Sequence, residues 1–197
     1  MRNLLLLMVM ASHLTSCCLF TSRDCGCKTS EPYIIESTKE WIAPFESEEL
    51  TFVISDTTMN SKKITRKYQT GTECIGGDEC CTSYPTYITS FSFGNNSSTL
   101  LYTRALKNTV EFSSRSSGFS ADIFIATLDV NSGKFSKSDE INLSESDTIV
   151  SGKESKIVVF QRIDPSKMTF LFNRIEFVKG IGIISFTDTL GQVWTRK

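Results

Sequence analysis

The sequence predicts a mainly β protein, an antiparallel meander of about 9–11 strands with at most one short N-terminal helix. Apolar residues recur at every second position along much of the chain, as in Leu50, Phe52 and Ile54. Turn residues separate these runs, for example at 94–96 and 131–133. Strands do not alternate with long helical segments, so a parallel α/β sheet is not expected.

The strand candidates follow one another from the first apolar run to the last residues. After residues 50–54 they lie at 87–93, 100–102, 110–112, 123–125, 157–160, 168–172, 181–186 and 193–194. Residues 123–125 and 157–160 are continuously apolar, which predicts central strands covered on both faces. The pattern does not choose between a half-barrel, a barrel and a sandwich.

Two further local patterns complete the expected fold. A short helix is predicted from Ser37 to Ala43, because Ser37 suits an N-cap, Glu40 completes a capping box and Pro44 ends the segment. The basic cluster of Lys62, Lys63, Arg66 and Lys67 is interpreted as the solvated face of a strand.

The N terminus has the pattern of a secretory signal, with the positive start Met1-Arg2-Asn3, an apolar run over 4–10 and small residues before Cys17. The run is shorter than the ~20 apolar residues that span a bilayer. Leu14-Thr15-Ser16-Cys17 resembles the lipobox of bacterial lipoproteins. This resemblance implies lipid on the Cys17 sulfur, cleavage before Cys17 and acylation of the new amino terminus. An ordinary secretory signal is the alternative.

The expected organisation follows from this lipobox. Residues 1–16 are a signal peptide, 17–30 a lipidated tether and 31–197 a single β-rich domain. The resemblance implies a lipid-anchored protein of the cell envelope whose first contact is the membrane. Cys18 occupies the position at which an Asp often retains lipoproteins at the inner membrane, which favours the outer membrane over the inner.

The sequence also restricts the chemistry. His13 is the only histidine and leaves with the signal, so triads and mixed Cys/His zinc sites are excluded from the mature chain. Of 21 Lys and Arg residues only Arg2 is lost, which leaves 20 against 22 Asp and Glu, a net charge of −2. No basic stripe is present, so no nucleic-acid partner is expected. No cofactor or metal is expected either.

Three functions are compatible with this pattern. The favoured one is a non-enzymatic binding or structural module for an unknown protein, glycan or lipid partner. The first alternative is a carrier that holds a lipophilic ligand in an apolar concavity lined by Phe91, Phe93, Phe170 and Phe172. The second is a hydrolase with carboxylates alone, which needs two acids about 5–9 Å apart. Its candidates are four acids interpreted as loop residues: Asp139, Glu140, Glu145 and Asp147.

Six cysteines remain if Cys17 carries lipid. They are Cys18, Cys25, Cys27, Cys74, Cys80 and Cys81. An even number in an exported chain predicts structural disulfides, and six thiols permit 15 pairings between which the sequence does not choose. Free thiols and a thiolate metal site are the alternatives, although the Cys spacings fit zinc and redox motifs poorly.

Segments at both ends of the domain are similar to envelope lipoproteins of unknown function from the Bacteroidota. They are 39–45, Lys-Glu-Trp-Ile-Ala-Pro-Phe, and 177–194, with its Gly-x-Gly strand and final Trp. The resemblance implies a β architecture and no particular activity. We expect Trp41 and Phe45 to plug one end of the sheet and Trp194 to pack across the last hairpin.

Three Asp-Thr pairs resemble the O-glycosylation sites of the same bacteria, in which an apolar residue follows Asp-Ser or Asp-Thr. The resemblance implies a glycan on one or more of Thr57, Thr148 and Thr189. Asp-Thr is also common in turns, and that explanation stays open.

Overall fold

A computed structural model describes residues 36–42, 46–54, 61–75, 82–93, 98–116, 121–150, 152–166 and 170–197. The chain forms two compact units, Met1–Tyr33 with Thr72–Tyr84, and Ile34–Gly71 with Pro85–Lys197. Of the first unit only the strand backbone at 72–75 and 82–84 is described. The site and the core described below belong to the second unit.

The described part of the chain contains one short helix and twelve strands. They are α1 (Glu36–Lys39), β1 (Glu48–Val53), β2 (Ser61–Ile75), β3 (Thr82–Phe93), β4 (Ser98–Leu106), β5 (Thr109–Arg115), β6 (Ile123–Asp129), β7 (Lys134–Lys137), β8 (Ile141–Val150), β9 (Lys153–Arg162), β10 (Phe172–Val178), β11 (Gly182–Asp188) and β12 (Val193–Arg196). The predicted fold class is confirmed, with one strand more than the upper expectation.

All twelve strands form one sheet in the order β7-β6-β5-β4-β3-β2-β1-β12-β11-β10-β9-β8. Strands that follow one another in the chain are neighbours in the sheet, with the exception of β7 and β8, and β1 also pairs antiparallel with β12. This pairing joins β2–β7 to β8–β12 and leaves β7 and β8 as the two edges. Within the second unit the sheet curls so that β5 and β9 meet across one interior.

Aromatic rings from distant strands meet inside the curl. The Phe112 ring of β5 lies 5.0 Å from that of Phe160 in β9 and 5.6 Å from that of Phe177 in β10. Phe91 of β3 also contacts Phe177, with ring centroids 6.5 Å apart. Each fully buried Phe contributes about 1.5–3 kcal/mol through removal of apolar surface from water. The two halves of the sheet are therefore stabilised against each other by one core.

The prediction of central strands covered on both faces is wrong for 123–125, whereas at 157–160 Val158 and Phe160 are buried and Ile157 and Val159 are half-buried. These residues belong to β6 and β9, each of which lies next to an edge strand. Phe124 points away from the core and is 46% exposed. Continuous apolarity therefore does not reflect burial on both faces at 123–125.

The predicted helix is shorter than expected and begins earlier. Backbone Glu40 N donates to Glu36 O at 3.1 Å, so Ser37 lies inside the single turn and is not its N-cap. Trp41, just after the helix, is buried with its ring 6.5 Å from that of Phe112. Trp41 therefore packs into the core, and its position at one end of the sheet stays a prediction, whereas Ala43, Pro44 and Phe45 lie outside the described residues.

Turn chemistry fits the predicted hairpins. The turns 130–133 and 189–192 connect β6 to β7 and β11 to β12, and the predicted turn at 94–96 lies outside the described residues. Gly133 and Gly191 adopt φ of +67° and +81°, a region that L side chains rarely occupy.

Candidate binding edge on strand β8

Most of the predicted modification sites lie outside the described residues: Cys17, Cys18, Cys25, Cys27, Cys80, Cys81 and Thr57. Cys74 belongs to β2, of which only the backbone is described there. Lipidation and disulfide pairing therefore stay predictions. Thr148 lies half-buried on β8, and Thr189 is exposed in the turn between β11 and β12.

The four candidate acids do not form one loop patch. Asp139 and Glu140 lie in the corner between β7 and β8, whereas Glu145 and Asp147 lie within β8 itself. From the first residue of β8 to Asp147 the strand extends roughly 20 Å, at about 3.3 Å per residue. Glu145 Oε2 lies 3.6 Å from Lys156 Nζ. The loop interpretation of Glu145 and Asp147 is therefore wrong.

The four phenylalanines proposed to line a ligand cavity contact other rings. Phe91 and Phe172 are fully buried, and Phe170 is nearly so. The rings of Phe170 and Phe172 lie 5.4 Å apart, and that of Phe93 lies 6.0 Å from the ring of Phe186. Such contacts are those of a packed core.

A charged cluster that sequence reasoning missed is centred on Asp188. Its Oδ2 accepts hydrogen bonds from Lys62 Nζ at 2.8 Å and from Trp194 Nε1 at 2.9 Å. Its Oδ1 accepts from the backbone N–H groups of Leu190 and Gln192, each at 3.0 Å. Burial raises the pKa of the Asp188 carboxyl, but hydrogen bonds from Lys62, Trp194 and Gln192 and the Lys62 charge lower it to below 3.8 overall.

Aromatic rings surround the ammonium group of Lys62. Its Nζ lies 4.1 Å from the centroid of the Trp194 ring and 5.9 Å from those of Phe93 and Phe186. The Trp194 ring stacks on Phe186 at 6.2 Å, which confirms that it packs across the last hairpin. The Asp188 carboxylate accepts four hydrogen bonds, all from groups of this chain. We therefore interpret the Asp188 cluster as structural.

A second charged cluster involves Arg66, whose side chain is only 4% exposed. Arg66 Nη2 and Arg196 Nη2 lie 2.7 Å and 3.2 Å from the same Glu48 Oε1, and both guanidinium groups donate to the carbonyl of Ile181. Burial lowers the pKa of Arg66, the Glu48 charge raises it and the Arg196 charge lowers it again. Two cations thus share one carboxylate.

Both clusters correct the interpretation of the basic segment. Lys62 and Arg66 have the same parity as buried Ile64 and point inward, while Lys63 is exposed. Residues two positions apart on a strand point to the same face. The positions of Lys62 and Arg66 two residues before and after the apolar Ile64 were therefore the sequence signal that both point inward.

Among the strands of the described residues, β8 has a neighbour on one side only. Its ten residues pair with β9 from Ile141↔Arg162 to Val150↔Lys153. The pair Val150↔Lys153 closes a two-residue hairpin, so the even-numbered residues hydrogen-bond β9 and the odd-numbered ones direct N–H and C=O outward. Two bonds agree with this parity: Ile141 N donates to Ser138 O, and Lys137 Nζ donates to Ile141 O.

Beyond this corner the outward backbone groups have no partner in the part of the chain that the structure describes. We define the β8 edge as the outward N–H and C=O groups of Leu143, Glu145, Asp147 and Ile149. Within the described ranges no residue hydrogen-bonds them. The facing edge strand β7 has only four residues, too few to cover ten. A row of unpaired strand groups is a template for another strand.

The tip of the β8–β9 hairpin borders a cavity of about 450 Å³. It is lined by Asp147, Thr148, Ile149, Glu154, Ser155, Lys156 and Lys179. Ile149 is 73% exposed. Lys179 is paired with Glu40, the residue after α1, with Nζ and Oε2 2.6 Å apart. The cavity is open to solvent, and all its lining residues except Ile149 are polar or charged.

No protein-family model, no curated protein and no solved structure matches this chain. Within the described ranges, no three His, Cys, Asp or Glu side chains are grouped so that they could hold a metal ion. No helix in that part of the chain is both long and apolar enough to cross a membrane.

Proposed function

We propose that this chain is a lipid-anchored cell-envelope protein whose domain binds a partner along the β8 edge and breaks no covalent bond. The observation that carries the proposal is a ten-residue edge strand that other described strands pair with on one side only. Proteins normally keep their edge strands short, interrupt them with bulges or cover them, because a long open edge pairs with other strands. An edge left open along four outward positions is suited to recognition.

The alternatives have less support. A carrier needs an open apolar interior, and the rings of Phe91, Phe93 and Phe172 contact neighbours in the core. A carboxylate hydrolase needs an acid whose pKa is raised by its surroundings. Glu145 and Asp147 lie exposed on a strand. The mature chain also lacks the imidazole on which most acid–base catalysis depends.

The anchor is tested by palmitate labelling of the full chain in a bacterium that processes lipoproteins. Wild type should incorporate label and fractionate with membranes, and Cys17→Ala should do neither. Cys18→Ala is the matched control and should label like wild type. A Cys17→Ala variant that labels fully, or a wild-type chain that keeps residues 1–16, contradicts the anchor.

The open edge is tested by amide hydrogen exchange of the folded Cys17→Ala chain, followed residue by residue by NMR. The amides of Glu145, Asp147 and Ile149 should exchange fast, while those of Ser146 and Thr148 are protected by β9. Equal protection of both sets shows that the edge is covered, and the proposed binding surface is then wrong.

A further inference from the structure

From the chemistry of the β8 edge we infer the class of partner: an extended polypeptide segment with the pattern apolar-x-basic-x-basic, which adds to the sheet as a strand beside β8. This inference rests on the proposed function, since it assumes that the edge is the binding surface. It goes further because it names the conformation and side chains of the partner.

The backbone of the edge selects an extended polypeptide. Leu143, Glu145, Asp147 and Ile149 each present one donor and one acceptor in the plane of the sheet, and the pairs repeat about every 7 Å. Only another β-strand offers matching acceptors and donors at this spacing. A glycan or a lipid headgroup has no such repeat. Main-chain bonds then supply affinity, and alternate side chains supply specificity.

The side chains disfavour a second copy of this chain as the partner. In a symmetric antiparallel pair of β8 edges, the three central registers place Glu145 opposite Asp147, Glu145 opposite Glu145, or Asp147 opposite Asp147. Like charges directly opposite each other destabilise strand pairing. Each of these registers is therefore disfavoured, and the partner is a different sequence.

Charge on the hairpin specifies basic residues. Glu145, Asp147, Glu154 and Lys156 share one face, as their pairing register shows, and together carry a net charge of −2. Lys156 stands directly opposite Asp147 on β9 and its Nζ lies 3.6 Å from Glu145 Oε2, so one cation faces two carboxylates. Lys179 at the rim is already paired with Glu40. Two basic residues, two positions apart, would therefore stand opposite Glu145 and Asp147.

The exposed Ile149 sets the third position. It lies on the same face two residues after Asp147 and borders the cavity of about 450 Å³. An apolar side chain opposite it would cover Ile149 and occupy part of this cavity. In the antiparallel orientation the partner therefore runs apolar, any residue, basic, any residue, basic.

The test uses the folded full chain in detergent and fluorescent peptides, with anisotropy as the measurement. The probe is Val-Thr-Lys-Thr-Lys-Thr-Val, and its charge control replaces both Lys by Glu. A backbone control carries N-methyl groups at alternate amides. We expect the Lys peptide alone to bind. Charge reversal in E145K/D147K should weaken binding about tenfold or more, while E49K, an exposed carboxylate on the doubly paired strand β1, should leave it unchanged.

A second pair of variants distinguishes the contribution of the backbone hydrogen bonds of β8 from that of the Ile149 side chain. Ile149→Pro removes one outward N–H, which an edge strand tolerates, and should weaken binding more than Ile149→Ala. Three outcomes overturn the inference alone and leave the proposed function standing. They are equal binding of the Lys and Glu peptides, full binding of the N-methylated peptide, and no peptide binding although the β8 amides exchange fast. Protected β8 amides, from a second copy or from a segment of this chain outside the described residues, overturn the inference and the proposed function together.

Discussion

Removal of the Asp188 carboxylate should destabilise the fold more than any exposed acidic substitution. The side chain is only 8% exposed and accepts four hydrogen bonds, two of them from the β11–β12 turn. Asp188→Ala leaves the Trp194 N–H buried without an acceptor, which costs about 1–3 kcal/mol. It also leaves the Lys62 ammonium unpaired, although Lys62 is 35% exposed and solvent screens part of that loss. We expect a total of about 3 kcal/mol.

Asp188→Asn is the more selective change, because it keeps the shape of the side chain. One amide oxygen still accepts the turn N–H groups, but the amide N–H₂ then faces two other donors, Lys62 and Trp194. The expected loss is about 2 kcal/mol. The assay is urea unfolding followed by tryptophan fluorescence, with Asp147→Asn as the exposed control at less than about 0.5 kcal/mol. A loss below about 0.5 kcal/mol for Asp188→Ala refutes the assignment of a structural role.

The pH dependence has a definite sign. The folded pKa of Asp188 is lowered below the ordinary 3.8, so its stabilisation is present above the unfolded pKa. It is lost as pH falls through the folded pKa. Wild type should therefore lose more stability than Asp188→Asn between about pH 5 and the acid limit of folding. Parallel acid profiles for the two proteins contradict the shift.

Three further predictions concern the core, the buried arginine and glycosylation. Phe112→Ala should cost about 3–5 kcal/mol in urea unfolding, because the ring contacts both β9 and β10. Arg66→Met should lower the free energy of unfolding by about 3 kcal/mol. The double variant Glu48→Gln/Arg66→Met should lose less than the sum of the two single variants, because the two charges compensate each other. If Thr148 and Thr189 are both candidate glycan sites, peptide mass spectrometry from a glycosylating host should find glycan on the exposed Thr189 first; a glycan on Thr148 alone contradicts this ranking.

The local parts of the fold could be predicted because their signals are local. Alternation in segments such as Leu50-Thr51-Phe52 and turn residues such as Gly133 are visible within a few positions of the chain. They indicate an antiparallel meander but not how it closes. Closure depends on contacts such as that between Phe112 and Phe160, and on the pairing of β1 with β12. No local period encodes those contacts.

The charged clusters were missed for the same reason. Lys62 and Asp188 lie 126 positions apart, so nothing near either residue indicates their contact. The β8 edge was obscured by its composition, because the polar residues Ser144 to Thr148 favour a loop over a strand. Pairing with the apolar strand β9 overrides that preference.

The pairing of β1 with β12 also has a consequence in time. Phe52 pairs with Arg196, 144 residues later in the chain, so a polypeptide synthesised from its amino end cannot close the sheet until those last residues exist. Topologies with such distant pairings fold slowly. A chain that must wait for β12 keeps its sheet open while it is made, and such a state would suit the export that the proposed function assumes.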